Sequence, residues 1–393
     1  MPRIAAAPRR DYGDVVLCAP VSVPYRRYSV NSAHWWIGRA LRSLTQAAGL
    51  GRQDIDGLLV SSFSLFPDTA IGLTQHFGLS PRWIDHIPMG GASGILALRK
   101  AARAVQDGDC SIAACIAGDT NHVDSFRKSL STFSRFAQDA VYPYGAGGPN
   151  ASFALIARHY MARYGATRAD FGKIAVAQRA NALAFPHALM KKPLTLDEYL
   201  SARMIADPIG LFDCVMPCAG AEAFLVMREA EAKALGLPFA RLLATIERHN
   251  AHAQDPVQHR GGWTVDIAEL YAMAGARPEQ VSFVETYDDY PVISAMQFED
   301  LGLCGKGEAA DFIRQHDFTV DGSCPHNTSG GQLSVGQAGC AGGYLGLVEA
   351  VRQLTGTALG GQVNDPALGL VSGFGMITYD RGLASGAALL GRA

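Results

Sequence analysis

The chain has 393 residues, 48% of them hydrophobic and 18% charged, with a formal net charge of -2. This is the make-up of an ordinary globular protein with room for two domains, and the near-neutral balance without a basic stripe argues against nucleic acid as the main partner. No run of about 20 apolar residues is present, so no membrane span is expected. Eight cysteines are scattered without a CxxC pair, and Cys214 and Cys218 are too isolated for a zinc site. They read as reduced thiols of a cytoplasmic protein. The N-terminal MPRIAAAPRRDYGD is basic, but the apolar run after it is short and broken by Pro20 and Pro24, so no signal peptide is expected.

In chain order, Val15 to Val21 reads as a strand. Ala33 to Ala48 has helical spacing at Trp36, Leu41, Leu44 and Ala48, closed by Gly49 and Gly51. Ile55 to Phe63 is a short apolar strand, Thr69 to Phe77 a helix and Ile84 to Ile87 a strand. A glycine loop, Met89 to Gly94, then runs into a helix over Ile95 to Val105. Cys110 to Ala117 is almost continuously apolar, as expected of a parallel strand covered on both faces. Asp119 to Pro208 reads as an insert, irregular over Ser125 to Ser134, with a PYGAGGPN turn and helices over Ala151 to Tyr164 and Phe171 to Leu183. An insert of this length usually covers a site or forms an interface. Strand character returns over Phe212 to Met227 and Leu242 to Glu247, and His249 to Gly262 reads as a crossover.

The C-terminal part repeats the pattern: helix at Val265 to Ala274, strand at Val281 to Tyr287, glycine cluster at Gly336 to Gly343, helix at Tyr344 to Leu354 and strand at Leu368 to Gly375. Leu345, Val348, Val351 and Leu354 give this last helix an apolar stripe, and Gly356 a stop. A long-period repeat predicts two similar α/β halves, 1–255 (carrying the insert 119–208) and 256–393, rather than one large sheet. Each half brings a glycine loop to a helix N-terminus. Unpaired N–H groups and the positive dipole end gather there, and glycine lets a ligand approach the backbone. Such a terminus suits a phosphate or a carbonyl becoming an oxyanion; the same residues also fit a helix packed tightly on a sheet.

Several motifs in order carry a likeness: GGASG at 90–94, RHYMARYGAT at 158–167, AVAQRANALAFPHA at 175–188, RMIADPIGLFDC at 203–214, YDDY at 287–290, FEDLG at 298–302, HNTSGG at 326–331 and LVEAVRQLTG at 347–356. With these, the chain resembles the sterol-carrier-protein type of the thiolase superfamily nearly end to end. The resemblance implies an α/β, five-layered α-β-α-β-α fold of two similar halves, a homodimer, and an acyl-CoA thioester as substrate, coenzyme A entering only as part of it. No permanently bound cofactor is expected. A small partner protein with a zinc ribbon and an OB-like fold is a further expectation of the resemblance.

The departures from the family bear on the chemistry. The nucleophilic Cys-x-Ser-Gly pattern reads Gly91-Ala92-Ser93-Gly94, the Gly-His-Pro signature reads Gly336-Gln337-Ala338, His-Asp-x-Phe reads Tyr287-Asp288-Asp289-Tyr290, and the late Cys-x-Gly reads Val371-Ser372-Gly373. Covalent acyl transfer needs an activated nucleophile. Ser93 has no visible base. Cys340 is the sharper candidate, with Cys324 and His326 nearby in sequence, although a free cysteine among glycines more often packs as a small buried filler. The resemblance also implies an alternative, since thiolase-fold retro-aldolases lack the cysteine and are thought to use tyrosine. Tyr287, which stands where the family has histidine, Tyr344 and Asp288 are then catalytic candidates, and a tyrosine base must have its pKa shifted to work near neutrality. Tyr290 reads as core. Gly91, Ser93, Asn327, Gly336, Gln337 and Gly373 are the substrate-binding candidates, Gln337 as a hydrogen-bond donor without proton transfer. Trp35, Trp36, Phe63 and Phe66 are candidates for a bulky acyl pocket.

Three functions follow. The first is carbon–carbon cleavage or formation on a β-hydroxyacyl-CoA without a cysteinyl thioester. The second is an acyltransferase with a replacement nucleophile. The third is a non-catalytic acyl-CoA-binding or scaffolding subunit.

Overall fold

A computed structural model describes residues 10–122, 138–146 and 148–393. The irregular stretch expected over Ser125 to Ser134, and part of the PYGAGGPN turn, lie outside them.

The main sheet is built from β1 (Val15–Arg26), β2 (Gly57–Ser61), β3 (Trp83–His86), β4 (Ala113–Asp119), β7 (Ala219–Arg228), β8 (Phe239–His249), β9 (Phe283–Glu285), β10 (Leu368–Thr378) and β11 (Arg381–Arg392), while β5 (Met204–Ala206) and β6 (Ile209–Gly210) form a separate ribbon. The order is β3-β2-β4-β7-β1-β8-β11-β10-β9. On one side of the β1–β8 join, β3, β2 and β4 run parallel and then pass to antiparallel β7 and β1; on the other, β9 and β10 run parallel and then pass to antiparallel β11 and β8. The repeat read from the sequence is therefore a repeat of topology. The expectation of two separate sheets is corrected: β1 and β8 pair antiparallel over Val16–Cys18 and Phe239–Arg241. The expectation of a purely parallel setting for β4 is corrected too, since it is parallel to β2 and antiparallel to β7. Its seven residues are nevertheless all buried, which is why the run is so uniformly apolar. β8 precedes residue 255 yet pairs with β11 from Ala240 to His249.

The helices that position the site are α1 (Ala33–Ala48), α2 (Ala70–Phe77), α3 (Ser93–Asp107), α4 (Gly148–Tyr164), α5 (Arg168–Ala184), α6 (Trp263–Ala274), α7 (Pro291–Asp300), α8 (Ala309–Gln315) and α9 (Gly342–Thr355). Helix α1 lies on β1, β4 and β7, and α6 lies on β8 and β11, each covering the outer face of one half. Between the halves, α3 touches β2, β4 and β7 but also β10 and β11, while α9 touches β8 to β11 but also β1 and β7, and the two helices touch each other. The layers thus run helix, sheet, paired helices, sheet, helix.

Burial explains the composition of the two middle helices. On α9 the predicted stripe Leu345, Val348, Val351 and Leu354 is buried, and so is the opposite polar face, Glu349, Arg352 and Gln353. Two of the three are hydrogen-bonded internally: Thr328 Oγ1 donates to Glu349 Oε1 at 3.1 Å, and Gln353 Nε2 donates to Glu349 Oε1 and to the Gly361 carbonyl, both at 2.8 Å, while Arg352 Nη1 faces Glu349 Oε2 at 3.9 Å as an ion pair. Buried polar groups persist when paired in this way. The glycines at the helix starts serve close packing. A Cβ on Gly94 would stand 2.1 Å from the Gly343 carbonyl oxygen, and one on Gly343 would stand 2.6 Å from that of Gly90.

Candidate functional site

The two glycine loops meet at the N-termini of α3 and α9, and a third segment, Thr286–Tyr290 after β9, closes on them. Tyr287 is buried, and its ring fills the space beside Gly91. A Cβ at position 91 would lie 2.0 Å from Tyr287 Cε2 and Cζ and 2.3 Å from the Phe374 carbonyl oxygen. Gly373 belongs to the same contact, since a Cβ there would lie 3.0 Å from the Gly91 carbonyl oxygen. The absence of a side chain at 91 and the presence of an aromatic ring at 287 are thus one packing arrangement.

The hydroxyl of Tyr287 ends in a polar triangle. Gln337 Nε2 donates to it at 3.1 Å and to Asp289 Oδ1 at 3.0 Å, so the hydroxyl and the carboxylate are held beside one another by a shared donor. Tyr287 is raised well above the ordinary tyrosine range, by burial first and then by the Asp289 charge. Burial likewise pushes Asp289 up to about 7, opposed by the tyrosine hydroxyl. Gln337 and Asp289 are part-exposed whereas Tyr287 is not, so the triangle is where the buried loops meet the surface. The Gln337 backbone is fixed by donating to the Met216 carbonyl and accepting from Cys218 N–H.

Asp288 faces the other way. Its carboxylate accepts backbone N–H groups of Gln332 (3.0 Å) and Leu333 (3.2 Å) and the Gln178 amide (3.1 Å), so it caps the helical turn Gly331–Val335. Burial lifts it to about 6 against those bonds. Gly331 leaves room for this carboxylate, with a Cβ there falling 2.2 Å from Asp288 Oδ2. Asn327 takes the left-handed conformation, φ 45°, and its Oδ1 accepts the Thr286 N–H at 2.8 Å, holding the segment that carries Tyr287.

Other sequence candidates lie apart from the triangle. Tyr344 opens α9 as expected, but it is fully buried against Phe224 and its hydroxyl pairs with Ser61 Oγ at 3.1 Å, inside the first half. His326 is buried between Phe298 and Phe318, with Nε2 on Thr286 Oγ1 at 2.7 Å; burial lowers it to about 3, so it is a neutral core imidazole. Cys340 is fully buried, with its thiol near Ser93 and Gly90, and burial raises it well above the thiol range. The thiolate that nucleophilic chemistry requires is disfavoured there. Ser93 is spent on the loop, its Oγ donating to the Ile87 carbonyl and accepting the Met89 N–H. Gly336 adopts φ 118° against Cys218, shaping the approach to Gln337. Tyr290 stacks on Phe153 at 4.1 Å in the core. Of the aromatic pocket candidates, Trp36 is core, Trp35 and Phe66 are exposed, and Phe63 stands at the rim, 3.3 Å from where a Gly90 side chain would begin, with Met376 on the same glycine at 3.5 Å.

Two residues escaped the sequence reading. Asp289 was visible only as the second acid of YDDY. Asp119, at the end of β4, gave no signal at all. Its buried carboxylate accepts Ser62 Oγ and the N–H groups of Phe63 and Ser64 on Oδ1, and the Cys340 N–H at 2.7 Å on Oδ2. It ties the rim of the first half to the glycine loop of the second.

Mirrored half-sheets enclosing two central helices, with glycine loops meeting at their N-termini, define a thiolase-like fold. Residues 245–384 match the model of the thiolase C-terminal domain-like family. The chain is 31% identical to the steroid side-chain-cleaving aldolase of Thermomonospora curvata over 81% of its length and 83% of the relative's. It is also 31% identical to the 17-hydroxy-3-oxo-4-pregnene-20-carboxyl-CoA lyase of Mycobacterium tuberculosis, over 87% and 92%. Among solved structures, the Ltp2-ChsH2(DUF35) aldolase superposes with a TM-score of 0.82 at 26% identity, covering 97% of this chain and 98% of that one. The protein belongs to the thiolase superfamily, in its sterol-carrier-protein type.

Proposed function

We propose that the protein cleaves a carbon–carbon bond in a β-hydroxyacyl-CoA by a retro-aldol reaction that forms no acyl-enzyme. The observation that carries this reading is the Tyr287 ring standing in the space beside Gly91, where the resemblance puts the nucleophilic cysteine. A retro-aldol step needs a group to take the β-hydroxyl proton and a setting that tolerates an enolate. Tyr287, with its hydroxyl on Gln337, which also holds Asp289, supplies the first. The N-termini of α3 and α9, with Gly91, Ser93, Gly336 and Gly373 shaping their loops, supply the second. Asn327 and Asp288 hold the segment in place. Acyl transfer through Cys340 is disfavoured by its burial and raised thiol.

The substrate class extends from the relatives, which are named for steroid side chains and a hydroxylated steroid carboxyl-CoA. Phe63 and Met376 beside Gly90 offer an apolar rim for such a bulky acyl group. A DUF35-type partner of zinc-ribbon and OB-like build, a homodimer, a cytoplasmic location, no resident cofactor and a division into halves at 1–255 and 256–393 complete the reading. Among the described residues no helix is long and apolar enough to cross a membrane.

The test is product analysis with steroid-bearing and simple β-hydroxyacyl-CoA thioesters, with and without a DUF35-type partner, using a labelled acyl group. A ketone and a shortened acyl-CoA, lost in Tyr287→Phe and with no label retained on the protein, are expected. Label trapped on the polypeptide, or cleavage unaffected in Tyr287→Phe, overturns the reading.

A further inference from the structure

We infer that Asp289 is the proton-holding partner of Tyr287: it receives the phenolic proton as the tyrosine oxygen takes the proton of the substrate hydroxyl, and Gln337 keeps the pair in register. This rests on the retro-aldol reading. The geometry is the shared donor: one Nε2 lies 3.1 Å from the Tyr287 oxygen and 3.0 Å from Asp289 Oδ1. Both acceptors are therefore held by one amide nitrogen. Gln337 can give protons to hydrogen bonds but cannot take one up, so it orients without titrating. Asp289 is the carboxylate that shares this donor with the tyrosine hydroxyl, and its charge acts on the tyrosine.

A buried tyrosine whose ionisation is suppressed is a poor stored base. It becomes competent when its own proton leaves as the substrate's arrives, because the phenolate is then never isolated. The sequence balances. The β-hydroxyl proton passes to Tyr287 and the phenolic proton to Asp289. The Cα–Cβ bonding pair moves onto the thioester as the enolate, and the hydroxyl oxygen becomes the ketone carbonyl. The proton held at Asp289 then returns through Tyr287 to Cα, giving the shortened acyl-CoA and leaving both side chains as they began. No oxidant or further reactant is consumed.

The groups facing Asp289 are consistent with a neutral-range acceptor. Asp288 adds a like charge and the Tyr287 hydroxyl stands beside the carboxylate on the shared Gln337 amide, while Tyr290 lies close enough to feel the Asp289 charge. Burial of the carboxyl lifts it to about 7, where it can both take and return a proton. Asp288, by contrast, is committed to two backbone N–H groups and is not free for this role.

The experiment pairs an infrared titration of the carboxyl stretch with the pH dependence of kcat. In the unmodified protein a protonated carboxyl band is expected to titrate near neutrality, to vanish in Asp289→Asn and to shift upward in pH in Tyr287→Phe, which removes the neighbouring hydroxyl. For turnover, Asp289→Asn is expected to lower kcat about 10²–10⁴-fold and to abolish the acid limb of the profile, with coenzyme A thioester binding retained. Asp289→Glu, which keeps a carboxyl, should restore part of kcat with a displaced limb, and serves if Asp289→Asn does not fold. A band indifferent to Tyr287→Phe, or an acid limb unchanged in Asp289→Asn, overturns the assignment. A titrating, Tyr287-sensitive band in a protein that cleaves no β-hydroxyacyl-CoA overturns the retro-aldol reading instead, with the pair itself still demonstrated.

Discussion

Gly91 and Tyr287 occupy a single volume: the phenol ring lies 2.0 Å from the point where any side chain on residue 91 would begin. A cysteine placed at 91, where the resemblance puts the nucleophile, is therefore not expected to act as one. Gly91→Cys is expected to be overpacked against the ring and the Phe374 carbonyl, losing about 1–3 kcal/mol of stability and gaining no acyl transfer. Denaturant unfolding and a β-ketoacyl-CoA thiolysis assay check both halves of this, and an undiminished midpoint would contradict it.

The central helices make a second packing prediction. A methyl group on Gly343 meets the Gly90 and Gly91 carbonyl oxygens at 2.6 and 2.8 Å. These are backbone atoms that no rotamer change can move aside. Gly343→Ala is expected to cost more than Gly72→Ala on α2, where a Cβ meets nothing within 4 Å. Comparing the two unfolding free energies isolates the effect from helix propensity, which favours alanine at both sites.

Cys340 is expected to resist iodoacetamide in the native protein. Its thiol is buried and held neutral, whereas Cys214, Cys304 and Cys324 are part-exposed, though burial pushes each of these to about 12. Mass spectrometry after native alkylation should find modification at those three before Cys340, and carbon–carbon cleavage should survive. Early labelling of Cys340 with loss of activity would instead favour a thiol mechanism.

Stability is expected to fall as pH rises from about 6.5 to about 8. Glu222 is pushed by burial from 4.5 to about 8, and Asp289 from 3.8 to about 7. In this window the folded state holds more protons on these carboxyls than the unfolded chain does, so raising the pH removes that advantage. His187 and His326 are lowered to about 4 and about 3; they act in the opposite sense, but only below their ordinary value of 6.5. Glu222→Gln should flatten the decline. A thermal midpoint that rises across this window would rule the account out.

Losing the cap at Asp288 tests the support of the site. Asp288→Ala strands the Gln332 and Leu333 N–H groups, at about 1–3 kcal/mol for a buried donor without a partner. Thermal unfolding reads the loss, which should exceed that of Asp288→Asn, whose amide oxygen can still accept.

Most helices and inner strands were legible because their apolar spacing is set by the faces they bury. Ala33–Ala48 matches its predicted bounds because α1 is a one-sided helix with a left-handed glycine stop. Helix α9 was legible as a helix but not as a buried one, since its polar face lies inside the protein rather than in solvent. Strand β11 was not foreseen: its RGLASGAALLGR run is small and glycine-rich, and its strand state comes from pairing with β10 and β8. At the site, motif order led to Tyr287 and Gln337. It also led to Tyr344, whose hydroxyl the structure places on Ser61 rather than in the triangle, because a helix-opening position does not say which way its side chain points. Asp289 and Asp119 were missed because their roles exist only through partners 48 and 221 residues away.

The seam between β1 and β8 also has a consequence for how the molecule comes apart. Neither α3 nor α9 completes its packing within its own half, since each leans on strands of the other. Cutting the chain in the link after β8 would therefore yield two pieces, each exposing the face of a central helix that the other piece covers. Fragment complementation, rather than independent refolding, is the behaviour this arrangement dictates, with one cooperative melting transition for the intact chain.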